Sequence, residues 1–255
     1  MPLSDYEKLL QLTPTLRYTD VSNLVQSQRQ VKSASEIDKI RHAATAASMA
    51  FSQLPDKLNT GMIERDIFRR FMHLCLDAGA DDVSYLVGAV RAGGYDDIIA
   101  PAGDHVSADG DILILDTGCV YDGYFCDFDR NFAFGSTDKL TADAYLRTHE
   151  SIDAALAMVK AGVTCAELYA TMNSVLCGED NLVGRMGHGL GLQLTETPSV
   201  TPSDHTVLQA GMVITLEPAF NYGRGKVMVH EENLVVLDNG CELLSQRAPS
   251  EIPVI

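Results

Sequence analysis

Residues 112–132 read ILILDTGCVYDGYFCDFDRNF, two apolar stretches joined by Asp122-Gly123. An Asp-Gly pair between apolar stretches is a strong signal for a β-hairpin. Such a hairpin would place Asp116 and Asp127 on neighbouring strands with their carboxylates pointing the same way. This stretch therefore predicts paired strands that carry two metal-ligand-type side chains on one face.

Three further ligand-type residues follow: His188 in GRMGHGLGLQLTETPS, Glu217 in GMVITLEP and Glu231 in VMVHEENLVV. Four carboxylates and one imidazole form a hard, oxygen-rich donor set, which suits Mn, Fe, Co or Zn better than a soft thiolate metal. Without cations, four clustered carboxylates would repel one another and take up protons. Two divalent ions about 3.5–4 Å apart would balance their charge.

Each motif alone is weak, because an Asp after a strand often caps a turn, Gly-His-Gly is often a loop, and Glu-Pro is common at strand ends. Their joint order is specific. The pattern D-x-G, Y-x-G-Y-x-x-D-x-x-R-x-F, G-H-G-x-G-L, L-E-P and the Glu231 segment resembles the pita-bread metallohydrolases, peptidase family M24, which include aminopeptidase P, prolidase, methionine aminopeptidase and creatinase. The resemblance covers roughly residues 30–245.

The resemblance implies a role for each residue. Asp116 would bind one metal ion, Asp127 and Glu231 would bridge two, and His188 and Glu217 would complete the second site. Glu217 would also accept a proton from the attacking water. Two divalent ions, Mn favoured over Co, Fe or Zn, would lower the pKa of a bridging water and polarise the scissile carbonyl.

Two departures concern the histidines that, in the peptidases, hold the substrate carbonyl and stabilise the transition state. Thr195 stands seven residues after His188, where the peptidases carry a second His. Ala102 follows Pro101 where they have Pro-His, and His105 lies too late to replace it. A Thr hydroxyl can donate a hydrogen bond but carries no charge. Weak cleavage of standard peptides is therefore expected.

Three more residues lie beside the ligands. Arg130, three residues after Asp127, is predicted to orient a ligand carboxylate from outside the metal's own ligand set. Asp129 replaces the Thr usual in D-x-T-R; either Arg130 offsets its charge or it binds metal itself. His230 precedes Glu231 and is either a substrate contact or a surface residue of a strand.

Local signals predict the secondary structure. The predicted helices are one opened by a Ser33–Glu36 capping box, one near 62–78 ended by Gly79, Thr141–Lys160 ended by Gly162, and one from a Thr164–Glu167 capping box to about Cys177. Strands are predicted at 83–90, 97–101, 111–120, 124–135, 189–195, 212–220, 226–237 and 241–245. Helix, helix, strands, repeated once, indicates an α+β chain. The resemblance implies the pita-bread fold, a curved antiparallel sheet covered by helices with pseudo-twofold symmetry.

Residues 1–30 are polar and predicted to be an irregular arm or remnant linker, followed by a catalytic domain at 31–255. Aminopeptidase P, prolidase and creatinase carry an extra N-terminal domain that helps to shape the substrate pocket. The resemblance thus implies either a truncated paralogue or a site closed by the arm and a partner subunit, which in the second case would form a homodimer.

Composition limits the partners. A net charge of −16 argues against nucleic acid and anionic membranes. The chain has no apolar run near the ~20 residues of a membrane span and no signal peptide, so a cytoplasmic location is expected. The six cysteines form no C-x-x-C pair and are predicted to be reduced thiols. Cys119 and Cys126 flank the hairpin and either compete for soft metals or, as small apolar residues, simply pack.

These observations predict a dinuclear metal-dependent hydrolase that resembles Xaa-Pro aminopeptidase or dipeptidase and acts on a small peptide or amide. One alternative is a non-peptidase relative, similar to creatinase or ectoine hydrolase, that acts on a small metabolite. A second is a binding paralogue without catalysis, which the complete ligand set disfavours.

Overall fold

The computed structural model describes residues 1–176, 184–223 and 225–255. The helices in these ranges are α1 (Leu3–Leu12), α2 (Ser22–Gln30), α3 (Ala34–Gln53), α4 (Glu64–Asp77), α5 (Lys139–Leu156) and α6 (Cys165–Val175), with a short 3-10 helix at Pro55–Lys57. The strands are β1 (Asp82–Ala92), β2 (Asp111–Tyr121), β3 (Tyr124–Phe125), β4 (Phe128–Ala133), β5 (His188–Gly189), β6 (Glu196–Ser199), β7 (Val213–Leu216), β8 (Ala219–Tyr222), β9 (Lys226–Val229), β10 (Glu232–Leu237) and β11 (Gly240–Leu243).

The strands form two antiparallel sheets and one ribbon. In the first sheet, β2 pairs with β1, β3 and β4. The second sheet has the order β11-β10-β7-β5-β6, and β8 pairs with β9. A pair of helices precedes each sheet along the chain, α3 and α4 before the first and α5 and α6 before the second. The predicted repetition of helix, helix, strands is therefore confirmed.

Strand β2 is buried on both faces, and this decides where its polar residues point. Leu113 and Leu115 pack in the core with α3 and α4. Ile112 and Ile114 belong to the other core, with α5, α6 and the second sheet. Because side chains alternate along a strand, the even-numbered residues face the second half of the molecule. Asp116 continues that face and so points between the two halves.

The local signals for turns and helix starts are confirmed. In the two capping boxes, the backbone amides of Ser33 and Thr164 donate to the carboxylates of Glu36 and Glu167, each at 2.8 Å. The hairpin turn at Asp122-Gly123 has φ angles of 47° and 81°. Positive φ at both central residues is the requirement of a type I′ turn, which Asp and Gly tolerate.

Several expectations are wrong. Residues 1–30 are not irregular: α1 and α2 form there, although neither buries a residue. Segment 97–101 forms no strand, and only His188–Gly189 of the glycine-rich segment pairs as one. Gly162 does not cap α5, because that helix ends at Leu156, six residues earlier. The backbone amide of Gly162 donates to the carbonyl of Leu208 instead.

Cysteine and membrane expectations have separate outcomes. The five cysteines in the described ranges are free thiols, while Cys177 lies outside the described residues. Cys119 and Cys126 are fully buried among the apolar residues of the α3–α4 core, as packing residues would be. Within the described ranges, no helix is both long and apolar enough to cross a membrane.

Candidate metal centre

The first two carboxylates lie on or beside the first sheet. Asp116 is in β2, and its direct antiparallel partner is Asp129 of β4. Asp127 lies in the break between β3 and β4. The expectation that Asp127 would stand on a strand beside Asp116 is therefore corrected. β3 and β4 keep one register with β2, set by the hairpin turn, and this register places Asp129 rather than Asp127 directly opposite Asp116.

A side chain from the second half holds Asp127 in place. The backbone amide of Asp127 donates to Oδ1 of Asn233 at 2.9 Å, and Nδ2 of Asn233 donates back to the Asp127 carbonyl. Asn233 is fully buried in β10. These two hydrogen bonds replace strand pairing in the break between β3 and β4, and they thereby fix the direction of the Asp127 side chain.

Replacing Asn233 should weaken metal binding without touching a ligand. We expect Asn233→Leu, which removes both hydrogen bonds, to lower divalent-metal affinity about 10–100-fold, the usual cost of losing an outer-shell partner. Isothermal titration with Mn²⁺ measures it. Thr148→Val is the control, since Thr148 is also buried but donates only to carbonyls of its own helix α5, those of Ala144 and Tyr145. Equal losses in both variants would contradict a specific role.

His188 presents one nitrogen to this carboxylate. Its Nδ1 donates to the Gly189 carbonyl at 2.9 Å, so Nε2 carries the free lone pair. Nε2 lies 3.3 Å from Oδ2 of Asp127. Burial lowers the pKa of His188, and the nearby charge of Arg185 lowers it further. A buried, neutral imidazole with a fixed tautomer is what a metal ligand requires.

Glu217 and Glu231 come from the second half. Glu217 follows β7, and its side chain is the more open of the two, with 20% exposed. Its Oε2 lies 3.9 Å from Nε of Arg185. Glu231 precedes β10 and is 1% exposed. Its neighbours His230 and Glu232 point to the opposite face, as alternation along an extended chain requires.

These side chains converge between the two halves. One ligand atom from each of Asp127, His188 and Glu231 lies within 4.8 Å of the others. Four further carboxylates act on Glu231 through their charges: Asp116, Asp127, Asp129 and Glu217. All of these except Asp129, together with Glu231 itself, also act on Tyr85. Five buried carboxylate oxygens of this cluster have no hydrogen-bond partner: Asp116 Oδ1, Asp127 Oδ1, Asp129 Oδ2, Glu217 Oε2 and Glu231 Oε1.

Burial and mutual repulsion set the protonation of the cluster. Burial raises the pKa of Asp116, Asp127, Glu217 and Glu231, because the charged form loses hydration. Repulsion from Asp127 and Glu217 raises the pKa of Asp116 and Glu231 further. Such a group of unpaired, crowded carboxylates is unfavourable alone and is stabilised by cations.

Comparison with known proteins agrees with this geometry. Residues 38–239 match the family model of metallopeptidase family M24. The chain belongs to metallopeptidase family M24. An Xaa-Pro dipeptidase of Pyrococcus horikoshii is 27% identical over 252 residues, 96% of this chain and 71% of the relative. Membership identifies the chain as a hydrolase.

Solved structures establish the pita-bread fold. An X-Pro aminopeptidase from Thermotoga maritima superposes with a TM-score of 0.91 at 27% identity, covering 100% of this chain and 72% of the other. An Xaa-Pro dipeptidase from Bacillus anthracis gives 0.92 at 26% identity, covering 100% and 72%. The α+β class and the pita-bread architecture expected from the sequence are confirmed.

In this M24 chain, Arg130 acts on the backbone of a neighbouring strand. Its Nη1 donates to the carbonyl oxygens of Asp129 at 2.6 Å and Glu231 at 2.9 Å. Its Nη2 lies 2.9 Å from Oε2 of Glu232. The predicted contact with a ligand carboxylate is corrected, because Arg130 lies behind the cluster and positions Glu231 through its main chain.

His230 is neither a substrate contact nor a surface residue. It is fully buried, and Nη1 of Arg247 donates to its Nε2 at 2.7 Å. Burial lowers its pKa to about 4, so it stays neutral and can accept that bond. Both sequence interpretations are wrong because β9 and β10 are covered on both faces, here by Tyr145 and His149 of α5.

Neither of the two positions at which a carbonyl-holding histidine was expected carries an imidazole. Thr195 is exposed and lines a polar cavity with Gln26 and Arg29 of α2. Ala102 is half-buried against the α3–α4 core. Nε2 of His105 lies 2.7 Å from Oδ2 of Asp111 and is thereby committed to the start of β2.

Two residues that the sequence did not indicate face the cluster. Tyr85 lies beside the Asp116 carboxylate; burial, followed by the charge of Asp116, raises the pKa of Tyr85. Leu194 occupies the space over Gly118, next to Tyr85. The strand register pairs Tyr85 with Gly118 and so brings Tyr85 to the face of Asp116. Leu194 reaches the same face by packing over Gly118. No local motif carries that information.

Proposed function

We propose that this chain is a dinuclear, divalent-metal-dependent hydrolase of a peptide or amide C–N bond, with Xaa-Pro peptides as the first substrate class to test. The observation that supports it most directly is the set of buried carboxylate oxygens without partners around His188. The names of the relatives, Xaa-Pro dipeptidase and X-Pro aminopeptidase, support the substrate class.

The donor chemistry fits two cations. Asp116 would hold one ion, Asp127 and Glu231 would bridge, and His188 and Glu217 would complete the other site. Divalent ions held there would polarise a carbonyl and make water more acidic. We favour Mn²⁺ because the set is rich in carboxylate oxygen. Cytoplasmic location and a homodimer stay predictions from the sequence.

The protein's own groups have separate tasks. His188 stays neutral, because its Nδ1–H is bound to the Gly189 carbonyl and burial disfavours its cation. The Glu217 side chain is more exposed than that of Glu231, and burial raises its pKa. Glu217 is therefore placed to accept a proton from water and to release it. Tyr85 lies beside the Asp116 carboxylate.

A second candidate function is hydrolysis of a small-metabolite amide. It is favoured by the placement of Thr195 and Ala102, neither of which brings an imidazole to the ligands. An enzyme without those donors loses stabilisation of a developing oxyanion on an ordinary peptide. A small substrate that carries its own donor or charge would depend on them less.

Metal analysis combined with an activity screen tests the proposal. We expect purified protein incubated with Mn²⁺ and desalted to retain two ions per chain. Xaa-Pro dipeptides, Xaa-Pro-peptides and small cyclic amides are then compared as substrates of the loaded protein. Retention of no divalent ion would refute the metal centre, while two ions with cleavage of amides alone would favour the second candidate.

The histidine departures predict slow peptide hydrolysis. We expect a kcat on Xaa-Pro dipeptides about 10²–10³ below the ~10 s⁻¹ of a median enzyme, the usual cost of one lost oxyanion donor. Thr195→His should raise kcat, and Thr197→His, in the same cavity, should not. Wild-type turnover near ~10 s⁻¹ would show that the inference from Thr195 is wrong.

A further inference from the structure

A fifth buried carboxylate, Asp129, lies against the proposed metal centre and has no part in the function proposed above. Its side chain is 1% exposed, and Oδ2 is buried without a hydrogen-bond partner. Its Oδ1 has a long contact, 3.4 Å from Nδ2 of Asn131. A buried carboxylate satisfied so poorly is costly unless a cation or a strong donor completes it.

Strand register shows where this carboxylate points. Asp129 is the direct partner of Asp116 in the β2–β4 ladder. Side chains of directly opposed residues share a face, with Cβ atoms about 4.5–5.5 Å apart. The adjacent Phe128 packs on the other face, in the α3–α4 core. The carboxylate of Asp129 is therefore directed at the side of the cluster that Asp116 forms.

Arg130 does not supply the missing partner. Its guanidinium reaches the backbone carbonyl of Asp129, not the carboxylate, and its charge is paired with Glu232. The charge of Arg130 still acts on the Asp129 carboxylate, as do the negative charges of Asp116 and Glu217. Oδ2 of Asp129 is nevertheless dehydrated without a donor among the described residues, and a cation between these carboxylates would complete it.

We propose that Asp129 is a sixth protein ligand of the centre, with Oδ2 donating to the ion held by Asp116. This inference rests on the metal centre of the proposed function. The donor set then has five carboxylates and one imidazole, formally −5 against +4 from two divalent ions. An added hard oxygen favours ions that accept six ligands, such as Mn²⁺, over Zn²⁺, which prefers four.

The position departs from the D-x-T-R pattern of the sequence resemblance described above. That pattern has Thr where this chain has Asp129. Threonine offers a neutral hydroxyl, whereas aspartate adds a full charge and a second oxygen. The substitution therefore predicts a centre with tighter Mn²⁺ binding and a stronger preference for Mn²⁺ over Zn²⁺ than the Thr form of the same chain.

The test compares Mn²⁺ and Zn²⁺ titrations of wild type, Asp129→Asn and Asp129→Thr. Asp129→Asn keeps the shape of the side chain and removes its charge. We expect it to weaken Mn²⁺ binding at one site by at least about 10–100-fold, because loss of an outer-shell partner alone costs that much. Zn²⁺ affinity should fall less. The visible absorption of bound Co²⁺ should intensify, because it grows as the coordination number drops.

Asp111→Asn is the matched control. Asp111 is likewise a buried carboxylate of β2, but its Oδ2 accepts from the Ala108 amide at 2.9 Å and contacts His105. We expect its Mn²⁺ affinity to match wild type. If Asp129→Asn does not fold, which its melting curve shows, Asp129→Thr decides the question by the same titrations.

Equal or tighter Mn²⁺ binding by Asp129→Asn would overturn the proposal, because a carboxylate that merely repels its neighbours would be relieved by the change. The failures are distinguishable. Wild type with two ions and an unchanged variant refutes only the role of Asp129. Wild type with no divalent ion refutes the metal centre of the proposed function and the role of Asp129 together.

Discussion

Glu231→Gln is expected to reduce the divalent ions bound per chain and to lower hydrolysis by at least ~10²-fold, since a direct ligand should matter at least as much as an outer-shell partner. The change keeps the shape of the side chain but removes the charge that would bridge two ions. Glu231 is 1% exposed, so water cannot take its place. Metal content after desalting and initial rates on the preferred substrate measure the effect.

The next residue provides the control, because it has the opposite environment. Burial opposes ionisation of Glu232, yet the charge of Arg130 holds its pKa below the usual range. Arg247 lies 3.1 Å from its Oε1. Glu232→Gln should therefore destabilise the fold by about 3–5 kcal/mol, the cost of breaking a buried ion pair.

The two variants should differ in the sign of their effect on the metal-free protein. Glu231→Gln removes one charge from a crowded cluster and should stabilise the metal-free fold by ~1 kcal/mol or more, the equivalent of one pKa unit. Glu232→Gln should destabilise it. Urea denaturation after chelation measures both. Destabilisation of similar size in both variants would contradict the separate roles assigned to the two faces of this strand.

The candidate ligands could be proposed from sequence because several of them stand at a local signal. Asp116 lies in an aliphatic strand, His188 lies between glycines and Glu217 precedes a proline. The two-residue turn at Asp122-Gly123 also fixes the register, which pairs Asp116 with Asp129 and continues unshifted from β3 to β4. No local signal reports the hydrogen bonds that tie Asp127 to Asn233 of the second half, because they depend on how the two halves pack.

Burial on both faces explains most of the other failures. Alternation along 229–233 predicts that His230 and Glu231 point in opposite directions, and they do. It does not predict that α5 covers the far side, which buries His230 and gives Arg130 and Arg247 a buried partner in Glu232. The missed helices have a different cause. α1 carries apolar residues at helical spacing, Leu3, Tyr6 and Leu10, but they stay exposed, and neither α1 nor α2 buries a residue in the core.

Chelation should produce the largest change in stability. Ions present at about 1,000 times their Kd stabilise the native state by ~4 kcal/mol. A chain of this size shifts its melting temperature by roughly 2–4 °C per kcal/mol. Exhaustive chelation is therefore expected to lower the Tm by about 8–16 °C, and added Mn²⁺ should restore it. Calorimetry with metal content verified at each step measures the change.

The pH dependence of the chelated protein provides an independent check, because its sign follows from the raised pKa values. Asp116, Asp127 and Glu231 hold protons in the metal-free native state at pH values where the unfolded chain has lost them. Their stabilising effect is complete below pH ~4 and is lost as pH rises through the native pKa, at ~1.4 kcal/mol per pH unit for each extra proton.

The Tm of the chelated protein should therefore fall as pH rises above ~4 and through the raised native pKa values of these carboxylates. His230 acts in the opposite direction, because its pKa of about 4 in the native state, against an unfolded value of 6.5, lowers stability only as pH falls below 6.5. With Mn²⁺ bound, the same carboxylates stay ionised and the slope should vanish or reverse. Equal slopes with and without metal would show that these carboxylates are not the groups that the ions neutralise.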